Sequence, residues 1–376
     1  MTQAYQVIGL GWGDESKGSC VDALTRVLPV DTIVRHGGAC QCAHNVVTPE
    51  GVHHCFSQFG SGMLASQTVK THLSRFMLVE PMAMMREAEA LNNLTSNVWW
   101  RTTVDAKAII ITPWHRALNR LRERGRGDAR HGSCGRGVGV AREMHLKYGE
   151  DALLTGDTRD VYRLRNKLHY MAELYWKEVN EHPEYNVGSE FIPEINQLIY
   201  DYTHWPAKIV DALEPSKCMV FEGAQGVMLD ETHGTAPHNT WTDTTFNNAD
   251  TLLDEIGVKD RYRIGCLRTY HTRHGAGPFP TEDNTLDLPE MHNGTGEFQG
   301  AFRVGHMDWK MAADAIDIVG GLDGLAISHL DYLPRLGWNE GEFMDVAQGL
   351  SPVVMKANGP TAAHRTLAME RIESYA

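Results

Sequence analysis

The stretch VIGLGWGDESKGS, residues 7–19, sets two carboxylates and a lysine inside a glycine-punctuated turn that follows a short apolar run. Close-approach glycine amides and a lysine are the parts of a phosphate cradle. Phosphate alone has no use for Asp14 and Glu15. A carboxylate beside a phosphate holds Mg²⁺ between phosphate oxygens or takes a proton from a reacting group. The turn is not a Walker A loop, because Lys17 precedes Gly18 instead of following it.

Four further segments carry side chains of chemical use. RHGGACQCAHNVV (35–47) ends a strand-like run in two glycines and leads to His44, which matters if it lies beside Asp14. Its Cys40 and Cys42, with His53, His54 and Cys55 nearby, lack the distant C-x-x-C or H-x-x-x-H partner of a zinc site. HGSCGRGVGV (131–140) sets Ser133, Cys134 and Arg136 among glycines, the composition of a monophosphate cradle. A buried-looking run leads through FEGAQG to Gln225, with Thr240 downstream. TRHGAGPFPTE (272–282) is stiffened by Pro278 and Pro280 and opened by glycines that admit a close backbone approach.

These segments need elements to position them. YQVIGL, DTIVRHGG, AKAIIIT, CMVFEGAQG, RYRIGCLRTY and GLAISHLDYL read as strands. PMAMMREAEALNN, HRALNRLRERG, TRDVYRLRNKLHYMAELYWKEVNEH and DWKMAADAIDIV read as helices. The alternation predicts an α/β fold with a large, mainly parallel central sheet flanked by helices. In such folds ligands gather at the C-terminal ends of strands, where the glycine-rich segments fall. One domain over 1–376 is expected, with helical segments inserted at about 80–130 and 157–205.

Bulk composition narrows the classes of function. The chain has 376 residues, 42% apolar and 22% charged, with no run near the roughly 20 apolar residues of a membrane span. Its start lacks a signal-peptide pattern, and seven cysteines form no disulfide framework, so reduced thiols in a cytoplasm are expected. A net charge of −13 speaks against a nucleic-acid surface. From Arg116 to Lys147 nine Lys/Arg face three Asp/Glu, an island suited to a small anion.

GWGDESKG, GGACQCAHNVV, GSCGRGVG, FEGAQG…LDETHGT, TRHGAGPFPTE, SHLDYL and NGP follow one another from about Val7 to Pro360. In this order they resemble the adenylosuccinate synthetases, whose segments read like QWGDEGKGK, GGxNAGHT, GTTGRGIGP, FEGAQG, TRVGAGPFPTE, TKLD and STGP. The length is similar to that of the shorter archaeal and phage members. The resemblance implies a P-loop-like nucleotide-binding fold and a ligase. That ligase joins L-aspartate to C6 of a 6-oxopurine nucleoside monophosphate through a 6-phosphoryl intermediate.

Carried over residue by residue, Asp14 is the base and, with the Ala43 carbonyl, a Mg²⁺ ligand. His44 meets charge on the departing diphosphate, Lys17 offsets phosphoryl charge, and Gln225 holds O6. Ser16, Gln41, Ser133, Cys134, Arg136 and Thr240 fall to the monophosphate and purine, and Arg303 to aspartate. Gly13, Glu15, Lys17, Gly18, Asp331, Asn358, Gly359 and Pro360 fall to the donor, GTP with ATP or dATP as alternatives. The family also implies a homodimer, in the host cytoplasm if the chain is phage-encoded. Four departures stand out: Ser16-Lys17-Gly18-Ser19 replaces a Gly-Lys-Gly-Lys run, Gln41 replaces Asn, His329 replaces Lys, and QGAFRVG keeps one arginine of the aspartate loop. The arginine that reaches a neighbouring subunit has no clear match, Lys147 or Tyr148 falling near its place. This remodelling points to GMP or dGMP as substrate, giving a 2-aminoadenylosuccinate, with IMP the alternative.

Overall fold

The computed structural model describes residues 2–185, 190–290 and 292–373. Among these, ten strands form one sheet: β1 Gln3–Gly9, β2 Thr32–Arg35, β3 Lys70–Leu73, β4 Thr102–Asp105, β5 Lys208–Val210, β6 Cys218–Gly226, β7 Arg261–Arg268, β8 Gly324–Ser328, β9 Val353–Ala357 and β10 Arg365–Leu367. Their order across the sheet is β10-β9-β8-β7-β1-β6-β2-β3-β4-β5. Every neighbouring pair is parallel except β9 with β10. The expected large, mainly parallel α/β sheet is what the chain forms.

Parallel strands covered on both faces read as near-continuous apolar runs, and β1 does so. Its alternation still sorts the faces. Tyr5 and Val7 pack with Cys20, Val21 and Leu24 of the helix Lys17–Val27. Ile8 packs on the other side with Leu267, Ile327 and Ala315, the last in the helix Trp309–Ile318. With β1 central, the C-terminal ends of β1, β2, β6, β7 and β8 open on one edge of the sheet, where the glycine-rich segments after β1 and β2 and at the end of β6 fall; residues 131–140 follow the helix Pro113–Gly125 instead.

Two local readings differ from the structure. In AKAIIIT only Ile109–Ile110 is extended, paired with Leu78–Val79 outside the main sheet; the sheet strand here is the preceding β4. Ile109, Ile110 and Ile111 are all buried, so the apolar run marks burial and not ladder pairing. The helix Lys17–Val27 gives little sequence signal, since KGSCVDALTRV contains a glycine and β-branched residues. It holds because Lys17 to Thr25 are all buried, so packing overrides propensity.

The 80–130 stretch carries helices Pro81–Asn92 and Pro113–Gly125 on either side of β4, and 157–205 carries Val161–Glu181 and Ile195–Thr203. Pro113–Gly125, Val161–Glu181 and Ile195–Thr203, with Val138–Tyr148, enclose a cluster around Leu118, Met144, Leu168 and Tyr202.

Buried histidines set the acid stability of this fold. Burial pushes His36, His72 and His271 down to about 4 and His115 to about 3. Imidazoles kept neutral in the folded state but protonated near 6.5 when unfolded stabilise fully above that pH. That contribution is lost as pH falls from 6.5 towards 4. Urea titrations at pH 7, 5.5 and 4.5 should show a falling unfolding free energy across this window.

Candidate active site

A cavity of about 190 Å³ opens at the C-terminal edge of the sheet. Its walls include Gly13, Asp14, Ser16, Lys17 and Gly18 from the β1 loop, and Ala43 and His44 from the segment after β2. Asp331, Gly359 and Pro360 close the far side, beside Arg268, His329 and Tyr332. Ten residues singled out in the sequence, distributed from Gly13 to Pro360, thus meet around one space.

The two acids of the opening turn divide the work. Glu15 turns inward: its carboxylate accepts from the Gly13 amide at 2.8 Å and lies 3.3 Å from Lys17 Nζ. Lys17 also donates to the Gly13 carbonyl at 2.7 Å and is only 2% exposed. The pair therefore braces the turn from beneath, and Glu15 does not line the cavity. Gly13 has φ +118°, and a Cβ there would lie 3.3 Å from Gln225 Cα, so the β1 and β6 ends can touch only with glycine. Ser16 begins the helix with φ +61° and its side chain caps none of the first-turn amides, leaving them for an anion. Its hydroxyl instead accepts from Ser328 at 3.1 Å, beside His329. Ser16 also lines the cavity, and its own O–H is not used by this bond.

Asp14 faces the cavity, 3.2 Å from His274 Nε2, and its backbone carbonyl accepts from Arg268 Nε. Burial raises its pKa, but the hydrogen bond from His274 and the charges of Arg268 and Lys17 outweigh that and hold it below the ordinary range. Burial also pushes His274 down; the bond and charge of Asp14 win and raise it. Arg268 is itself held by Tyr270 at 2.9 Å and Glu290 at 3.1 Å.

His44 Nδ1 lies 2.5 Å from Glu222 Oε1, with the carboxylate fully buried. Glu222 also accepts from the Ser61 amide at 3.0 Å and from the Ser61 hydroxyl. Burial pushes Glu222 up, but the charge of Arg35 and the bonds from His44 and Ser61 bring it to about 2. Burial takes His44 down to about 4 against the pull of Glu222. With Glu222 ionised, Nδ1 carries the proton and Nε2 is the free ring nitrogen. Gly18 lets this pair approach the helix: a Cβ at residue 18 would fall 2.5 Å from His44 Cβ.

The remaining expected residues lie outside that cavity. Gln225 has φ +59°, and its Oε1 accepts from Thr242 at 3.5 Å; Thr242 lies 3.4 Å from Thr240, forming one polar row. Ser133 accepts from Asn119 at 2.8 Å, Cys134 is half-buried with its thiol pushed up by burial, and Arg136 is exposed. Most of the neighbouring basic island is already paired: Arg120 and Arg124 with Glu190, Arg122 with Glu178, and Arg126 with Glu123. Gln41 has a buried Oε1 without a partner among the described residues. Arg303 is tied to Glu282 at 2.6 Å and to the Gly277 carbonyl at 2.8 Å, its Nε left unpartnered among the described residues. Asn358 is exposed beside the cavity loop, its amide bonded to the His364 carbonyl at 3.2 Å.

Sequence reading missed Glu222, Ser61, Arg268, His274, Glu290 and Asn293. Glu222 and His274 sit inside segments that were singled out, yet nothing in those segments says that they face His44 and Asp14. Glu290 and Asn293 come from a loop without pattern.

Mg²⁺ keeps several waters and binds through one or two carboxylates plus phosphate oxygens. Asp14 and Ala43 both line the cavity, and a carboxylate and a backbone carbonyl are oxygen ligands of the kind such an ion takes. No group of three or more His, Cys, Asp or Glu suited to a metal cage occurs among the described residues.

The adenylosuccinate synthetase family model matches residues 6–337. The chain belongs to the adenylosuccinate synthetase family. It is therefore a C–N bond-forming ligase of purine biosynthesis. It is 30% identical over 379 residues to the adenylosuccinate synthetase of Pseudomonas fluorescens (strain Pf0-1), covering 97% of this chain and 85% of that one. It is 31% identical to that of strain SBW25, covering 94% and 87%. Among solved structures it is similar to the fully ligated adenylosuccinate synthetase of Plasmodium falciparum, with a TM-score of 0.79 at 18% identity, covering 96% and 99%. It is also similar to the cyanophage S-2L succinoaminodeoxyadenylate synthetase (PurZ) bound to dGMP and dATP, with a TM-score of 0.69 at 18% identity, covering 100% and 98%. Among the described residues no helix is long and apolar enough to cross a membrane.

Two substitutions test this ligase site. Glu222→Gln keeps the shape but removes the charge behind His44, and should lower kcat about 100-fold with little change in donor KM. Gly18→Ala should cost about 1–3 kcal/mol of stability and most of the activity, because neither His44 nor the helix can yield; thermal melts and phosphate release read both.

Proposed function

We propose that this ligase joins L-aspartate to C6 of GMP or dGMP, with GTP as phosphate donor. The observation that carries the chemistry is the meeting of Asp14, the Glu222-backed His44 and the Lys17 turn around one cavity at a helix N-terminus. Asp14, held ionised, takes the N1 proton of the purine, so charge moves to O6, beside the Gln225 end of β6. O6 attacks the γ-phosphorus, the O–P bond to the nucleoside diphosphate breaks, and a 6-phosphoryl purine forms. The aspartate amine then attacks C6, loses a proton, and the C6–O bond breaks to release phosphate.

His44 is neutral in the free chain. Triphosphate charge arriving near the ring, with Glu222 behind it, favours a second proton on Nε2, which then donates to the leaving diphosphate. Mg²⁺, held by Asp14 and the Ala43 carbonyl, would supply charge neutralisation on the triphosphate. Arg303 is the charged side chain assigned to the aspartate carboxylates, and its Glu282 partner would be exchanged for them.

For the donor, the Asp331 carboxylate is matched to the N1–H and N2–H of guanine, which favours GTP. dATP, present in the cyanophage enzyme, and ATP are the alternatives. For the acceptor, the thinned aspartate loop supports GMP or dGMP and the phage-type branch; a cyanophage enzyme of the same fold is bound to dGMP. IMP is the second reading, favoured by the relatives named adenylosuccinate synthetase. A homodimer in the cytoplasm is part of the proposal; light scattering at micromolar concentration would read the dimer.

Phosphate release with Mg²⁺, L-aspartate and GTP should be seen with GMP or dGMP and fall about 1000-fold or more in Asp14→Asn. Turnover with IMP alone would replace GMP by the second reading.

A further inference from the structure

We infer that His274 and Asn293 form the device by which this site tells a 2-amino-6-oxopurine from one lacking the amino group. The inference rests on the cavity's being a 6-oxopurine ligase site. His274 Nε2 lies 3.2 Å from Asp14 Oδ2 and 3.2 Å from Asn293 Oδ1. The Asn293 contact is a hydrogen bond and the Asp14 contact an ion-pair distance, so one ring nitrogen stands between two acceptor oxygens, both farther than the usual 2.9–3.0 Å. The trio keeps acceptor capacity to spare, and among the described residues Asp14 Oδ1 accepts no hydrogen bond. Asp14 and Asn293 both line the cavity.

A carboxylate oxygen and an amide oxygen, joined by one imidazole, present two acceptors side by side. A 2-amino-6-oxopurine carries two donors on one edge, N1–H and N2–H, whereas hypoxanthine carries only N1–H. Asp14 takes N1–H, and Asn293 Oδ1 takes an amino hydrogen while His274 keeps its own on Asp14 Oδ2.

The device also has a rigid mount. His274 closes the hairpin His271–His274/Phe302–Gly305, one position past Arg273, which pairs with Arg303, and its ring packs on Phe302 at 5.0 Å. In the family motif TRVGAGPFPTE a valine stands where this chain has His274, and valine has no N–H to hold the two oxygens together. Asp14 is the reacting base; His274 and Asn293 select the substrate.

The test is the ratio of kcat/KM for GMP to that for IMP, with binding of each monophosphate by calorimetry in the absence of donor. Asn293→Ala should lower the GMP value about 10-fold, mainly through KM, and leave IMP within twofold. Asn293→Asp keeps an acceptor oxygen and should retain the ratio. His274→Val should lower both values, because it also removes a contact that keeps Asp14 ionised, and should lower the ratio as Asn293→Ala does; His274→Gln, whose amide N–H can bridge the oxygens, should restore the ratio. Circular dichroism and thermal melts report folding in every variant. Equal loss on GMP and IMP, or an unchanged ratio, overturns the inference. Wild-type turnover with IMP and none with GMP or dGMP overturns it while leaving the ligase intact. No phosphate release with any of the three, with GTP or ATP, overturns the underlying reading itself.

Discussion

The Glu222 carboxylate, fully buried in central strand β6, is the constraint on which the site depends. An ionised group inside a protein costs several kcal/mol unless its oxygens are fully hydrogen-bonded. Glu222 meets that demand with His44, both donors of Ser61 and the charge of Arg35. Each partner belongs to a different segment, so satisfying one carboxylate fixes the His44 strand, the Ser61–Leu64 turn and the end of β2 against the sheet. The helix Lys17–Val27 then has one place to start, and only glycine at position 18 clears the histidine.

The same economy of charge explains the two acids of the opening turn. Glu15 and Lys17 neutralise each other beneath the turn, and the Gly13 amide and carbonyl complete their bonds. Asp14 is left as the carboxylate facing the cavity, where His274, Arg268 and Lys17 keep it ionised. One acid shapes the loop; the other faces the cavity.

Backbone strain is concentrated in the same region. Ser16, Gln225 and His329 adopt φ of 61°, 59° and 63°, at or beside the C-terminal ends of β1, β6 and β8. Each left-handed residue with a Cβ costs roughly 1 kcal/mol or more, a cost that persists where surrounding structure over-determines it. At positions 16 and 329 the side chains meet through Ser328, at 3.1 and 3.0 Å. A glycine would relax the backbone and lose that chain of hydrogen bonds.

Much of the architecture was legible in the sequence. Strands buried on both faces encode themselves as apolar runs, so β1, β6, β7 and β8 were evident, and amphipathic periodicity marked Pro81–Asn92 and Val161–Glu181. Short strands such as β4 and β5 carry too few residues for a pattern, and the Lys17–Val27 helix is stabilised by packing that composition does not show. At the site, the glycine-rich turns announced themselves because phosphate chemistry needs particular residue types at close spacing. By itself the sequence determined the family, the parallel α/β sheet and the segments that carry chemistry. Only the tertiary structure decided that Glu15 faces inward, that Ser16 serves Ser328, and that Glu222 and His274 stand behind His44 and Asp14. Those partners are 178 and 260 residues apart in the chain, and a hydrogen bond depends on distance in space, which no local pattern records.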